Sequence, residues 1–109
     1  MFRMLTCFNL RPGTSIQEFS SAYFAFVAHM KDLDLVAGSG PIGRRQSDSG
    51  LDTDADRGHE YFALMDFRDR AQADRALAHI RPRQNPTEAL HRAVLTRARQ
   101  VIFTAWEDI

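Results

Sequence analysis

Four histidines, one cysteine, three alternating aspartates and thirteen arginines are the side chains of this sequence with chemistry to offer. No two histidines stand four apart on a helical pattern, so no local imidazole pair is set to grip a metal ion, and no metal site is expected. His29 and His79 flank the apolar stripes of their helices, and His59 begins a strand. His91 projects away from an Ala89, Leu90, Ala93 stripe, which predicts a solvated imidazole. Asp52, Asp54 and Asp56 imitate the start of a calcium loop. The sixth position, where the turn needs glycine, is however Arg57, and the twelfth is Ala63 in place of a bidentate glutamate. They read as a solvated hairpin loop. Cys7 sits mid-strand, where a thiol packs as a small hydrophobe, and no base is placed near it by sequence. Gly38-Ser39-Gly40-Pro41-Ile42-Gly43 lacks both the following Lys-Ser/Thr and the helix start of a phosphate cradle. Ser39, Ser47 and Ser49 show no nucleophile elbow. Arg81, Arg83, Arg92, Arg97 and Arg99 could grip a carboxylate or phosphate in bidentate fashion, but read more simply as a solvated face.

Positioning such groups requires a core. With 109 residues, 44% of them apolar and 10% aromatic, residues 1–109 form one domain and exclude a disordered chain. No segment approaches the ~18 apolar residues of a membrane span. Met1–Leu10 carries Arg3 and is too short for a signal peptide, so a soluble cytoplasmic domain is expected. One cysteine rules out internal disulfides and any Cys-cluster zinc site. Charge is balanced at 14 against 14, yet residues 70–99 carry a local +5 and residues 44–69 a local −3. A net charge of zero argues against a nucleic-acid partner.

The elements follow from periodicity. Phe2–Leu10 alternates as a strand, with Phe2, Met4, Thr6, Phe8 and Leu10 on one face and Arg3, Leu5, Cys7 and Asn9 on the other. Arg11-Pro12-Gly13 ends it. Overlapping capping boxes, Thr14–Gln17 and Ser15–Glu18, open a helix whose stripe is Ile16, Phe19, Tyr23, Phe26, Val27 and Met30. Phe24 lies off that stripe and must meet something other than the main core, or solvent. Leu33–Arg45 reads as a second strand interrupted by Gly38, Gly40, Pro41 and Gly43, and Glu60–Arg68 as a third. Asp69 caps a second helix that Pro82 stops, Asn85-Pro86 starts a short third one, and Gln100–Trp106 is a fourth strand.

The order is βαββαβ, an α+β ferredoxin-like arrangement with a four-stranded antiparallel sheet and its helices on one face. Its strands carry large apolar groups on both sides, and helices can cover only one. A bare face of about 350 Å² left in water forfeits at most ~9 kcal/mol. A second copy is the simplest cover, so self-association into a homodimer is expected.

Strand Phe2–Leu10, the Pro12-Gly13-Thr14 approach to the helix, strand Tyr61–Phe67 and the terminal Val101-Ile-Phe-Thr-Ala-Trp-Glu-Asp resemble the dimeric α+β barrel superfamily, in which two ferredoxin-like sheets close a barrel across a two-fold axis. Arg44-Arg45, Phe67-Arg68-Asp69 and Glu88-Ala-Leu-His91 resemble a bacterial branch of it. The resemblance implies a pocket between sheet and helices. Asn9 and His91 are similar to the asparagine and histidine of the haem-degrading branch. The tryptophan that branch carries after the third strand is absent, since Ala71–Ala78 holds none, so no haem or other cofactor is expected. The candidate pocket is Asn9, Tyr23, Phe26, His91 and Trp106. It would suit a small aromatic or anionic molecule, with cofactor-independent monooxygenase-like activity as its catalytic form. The alternative is a non-catalytic dimerisation or regulatory module. An enclosed pocket of at least ~300 Å³ favours the first, and a filled core the second.

Overall fold

The computed structural model describes residues 1–109. In chain order the elements are β1 (Phe2–Leu10), α1 (Ile16–Asp32), β2 (Gly38–Ser39), β3 (Gly43–Arg44), β4 (Tyr61–Phe67), α2 (Arg70–Ile80), α3 (Thr87–Leu95) and β5 (Ala98–Glu107). The sheet runs β2-β4-β1-β5, with β3 also pairing β4, and every pairing is antiparallel. It therefore has five strands where four were expected. The expected strand over Leu33–Arg45 survives only as two short bridges flanking Pro41, whose missing N–H cannot join a ladder. At the second bridge, a Cβ on Gly43 would lie 1.8 Å from the Phe62 ring, so only glycine lets that ring lie across the backbone.

Side chains directly opposed in an antiparallel pair share a face. The register Met4↔Met65, Thr6↔Ala63 and Thr6↔Phe103 puts the even residues of β1 beneath the helices. The register Arg3↔Asp66, Leu5↔Leu64, Cys7↔Ile102 and Arg3↔Trp106 defines the outer face. Between Cys7 and Asn9 the pairing of β1 with β5 slips by one residue, and Gln100 takes a left-handed φ of 55° at the bulge.

Ser15 accepts the amide of Glu18 at 3.1 Å and caps α1, the N-cap half of the second expected box. The helix then buries Phe19, Tyr23, Phe26, Val27 and Met30. Phe8 is fully buried in an aromatic stack, 4.3 Å from Phe19 and 5.7 Å from Tyr61 between ring centres. It belongs to the helix-side core, and not to the sheet surface a partner would cover. At the other end of the layer, buried Gln72 accepts the amide of Arg68 at 2.7 Å and donates to the Asp34 carbonyl at 3.1 Å, joining α2 to the end of α1. No helix is long and apolar enough to cross a membrane.

Candidate functional site

Beneath α1 and α3 the sheet leaves one small, partly open cavity of about 50 Å³. Tyr23 and Phe26 reach it from α1, His91 and Val94 from α3, Thr6 from β1 and Phe103 from β5. Three of the five residues expected to form a pocket therefore share this cavity. Asn9 and Trp106 do not. Asn9 stands at an odd position of β1 and faces outward, where it donates to the Gln100 side chain at 2.7 Å and the Gly58 carbonyl at 3.2 Å, and accepts the Glu60 amide at 2.8 Å. The bonds to Gly58 and Glu60 pin the end of the acidic loop to β1, and the third ties β1 to Gln100 of β5. Trp106 opposes Arg3 on the same outer face, 62% exposed.

His91 is half-buried, not solvated. Its ring lies 5.1 Å from Phe26, and burial pushes its pKa below the ordinary value, outweighing the opposite pull of Glu88. Beside an apolar wall, the neutral imidazole is a ready proton acceptor. Tyr23 offers only its ring. Its hydroxyl is 2.7 Å from Ser39 Oγ, which itself reaches the Gly40 and Leu64 carbonyls at 2.9 and 3.0 Å. Carbonyls only accept, so Ser39 spends its proton on them and the phenol donates to Ser39. Burial then raises the Tyr23 pKa further from neutrality.

In the acidic loop the titratable groups Arg45 and Asp52 are structural. Arg45 clamps Asp52 through Nε and Nη2 at 2.7 and 2.9 Å and also donates to the carbonyls of Asp54 and Arg57. The guanidinium holds the Asp52 carboxyl down at about 2. Asp52 and the Asp54 carbonyl thus fold around the Arg45 guanidinium, and no cluster of three or more His, Cys, Asp or Glu is arranged to hold a metal. Of the five arginines considered for anion binding, Arg92 pairs with Glu88 and Arg97 donates to the Ala93 carbonyl. Sequence reading missed one feature outright: His29 of α1 and His79 of α2 both reach the Thr87 hydroxyl of α3, at 2.7 and 2.9 Å.

The backbone as a whole superposes on solved structures. The Arabidopsis thaliana protein At3g17210 matches with a TM-score of 0.75 at 11% identity, over 100% of this chain and 96% of that one. The chain is a ferredoxin-like protein by fold. A protein described as an antibiotic biosynthesis monooxygenase matches at 0.61 and 16% identity, over 100% and 99% of the two chains. A Bacteroides fragilis protein described as dimeric, ferredoxin-like and of unknown function matches at 0.53 and 10%, over 98% and 95%. No family model matches the sequence, and no curated protein matches it. At such identities the resemblance of this ferredoxin-like chain to the dimeric α+β barrel superfamily is one of fold.

Proposed function

We propose that this ferredoxin-like chain works as a homodimer, the outer faces of two sheets closing an α+β barrel, with the helix-side cavity of each protomer receiving one small aromatic molecule. The observation that carries the dimer is the outer face itself. Leu5, Cys7 and Leu64 form its middle, and Phe62, Ile102 and Trp106 remain 40, 46 and 62% exposed around them. Similarity to a protein described as dimeric supports the same assembly. Light scattering is expected to return twice the 12.4 kDa chain mass, whereas a mass of one chain at every concentration refutes the dimer.

The ligand reading rests on His91, a base held neutral against apolar walls. Similarity to an antibiotic biosynthesis monooxygenase supports giving it a chemical role, removal of a proton from a phenol-like substrate. At about 50 Å³ the cavity holds only a few water-sized groups, far below the ~300 Å³ of ordinary ligand sites. Occupancy therefore requires the half-exposed Phe103, on the edge strand, to swing outward. The small volume favours the second reading, a non-catalytic dimeric module. Phe103→Ala decides between them. Saturable binding of phenol or indole by this variant, lost in Phe103→Ala/His91→Leu, supports a ligand site, and a cavity that takes up neither probe supports the module.

A further inference from the structure

A second concavity, sharing no lining residue with the cavity under the helices, lies between the first half of α1 and the β2–β3 bridges and measures about 750 Å³. We propose that this cleft binds a small planar aromatic carboxylate. Its floor is aromatic: Phe24, the helix residue that the core stripe leaves out, is 40% exposed here, and Tyr61 faces it from β4. Tyr23 holds Phe24 from behind, edge to face at 5.1 Å and 76°, which orients the ring without covering it. Above Tyr61 stands the Arg44 guanidinium, 5.7 Å from the ring centre.

Charge decides the ligand. Arg45, the next residue, is saturated by Asp52, whereas Arg44 forms no ion pair and no side-chain hydrogen bond. No Asp or Glu lines the cleft; its other polar groups are Gln17, Ser20, Ser21 and Gln46. An exposed guanidinium laid over an aromatic floor, with neutral donors around it and no carboxylate in ion-pair contact, the nearby Asp52 being held by Arg45, suits an anion attached to a flat ring. The fork takes the carboxylate in bidentate fashion while the ring lies against Phe24. The volume falls within the ~300–1,000 Å³ of small-molecule sites, which the helix-side cavity does not reach.

The test is a titration of the full chain with 2-naphthoate, followed by amide proton–nitrogen shifts, beside the neutral isostere 2-naphthamide. Saturable shifts are expected at Gln17, Ser20, Ser21, Phe24, Arg44 and Gln46, with the amide about tenfold weaker and Arg44→Gln losing about tenfold of naphthoate affinity. Arg44→Lys keeps the charge without the fork and should fall between. Arg44 is exposed, so unchanged shifts across the remaining residues will confirm that the variants fold. Equal binding of acid and amide, an Arg44→Gln variant as tight as the parent, or no saturation by about 10 mM each overturns the proposal. Shifts centred on Phe26 and His91 overturn it too, while supporting the helix-side ligand site.

Discussion

At the scale of single residues, two side chains decide how the helical layer is held. The Thr87 hydroxyl has one proton to give and two lone pairs to receive, so at most one of His29 and His79 accepts from it and at least one donates to it. Three helices meet on that one buried oxygen. Thr87→Val keeps the shape and removes both bonds, and should cost about 2 kcal/mol in denaturant unfolding, with Thr87→Ser nearer the parent. A valine variant as stable as the parent would show the bonds to be idle. His91 acts through its charge state. Its folded pKa lies below the unfolded value near 6.5, so between those two values the unfolded chain binds more protons. Stability is therefore full above 6.5 and declines as pH falls toward the folded pKa. Urea midpoints between pH 8 and pH 5 should drop more steeply for the parent than for His91→Leu, and parallel profiles would contradict the buried assignment.

Among the elements, the acidic loop between β3 and β4 owes its shape to one arginine. Removing the Arg45 fork by Arg45→Gln should raise hydrogen exchange at the amides of Asp54, Asp56 and Arg57, which now bond to Asp52 and Asp54. The Asp52 carboxyl is depressed from 3.8 to about 2, so its contribution is present above 3.8 and lost as pH falls through about 2. The parent loop should accordingly stay protected at pH 4. Equal exchange in parent and variant would show that the loop holds without the clamp. How far elements can be read from sequence varies with the strength of their period. β1 and α1 are legible because alternation and capping agree there, and β5 because Val101 and Phe103 alternate with Ile102 and Trp106. The bridges around Pro41 are legible only in part: the glycines and Pro41 mark the interruption, but not that pairing shrinks to two residues on either side of it. His91 misleads for another reason: the inward stripe of α3 is the buried Thr87 with the half-buried Leu90, His91 and Val94, at helical spacing, but two polar members disguise it. Asn9 is not legible, because the sequence does not tell which face of the sheet meets the helices. In the fold, the odd position of Asn9 on β1 sets it opposite the helix-facing Phe8, and no pocket under α1 can include it.

For the molecule as a whole, thickness is the governing fact. Its extents are 40 × 39 × 19 Å, the depth of one sheet and one helical layer, and only 14 of 109 residues are buried. One face of the sheet thus has no partner within the chain, and β5 pairs only with β1, leaving its other edge with open hydrogen-bonding groups. In the proposed dimer a second sheet laid on the first would cover the face, and contacts from β5 and the acidic loop would raise the buried area toward the ~1,200 Å² of a specific interface. Trp106 is the sole tryptophan and stands on the surface in question, which makes it a built-in reporter. In a dimer its indole leaves water, so emission should shift to the red on dilution, in step with the fall in scattered mass. Ile102→Asp places a charge at the centre of the same face, opposite Cys7, where burial without a partner costs several kcal/mol. That variant should be monomeric and red-shifted at every concentration, yet folded, because Ile102 is already 46% exposed in the protomer. A parent whose emission ignores dilution, together with an Ile102→Asp variant of unchanged mass, would mean that the outer face stays in water and that two layers suffice.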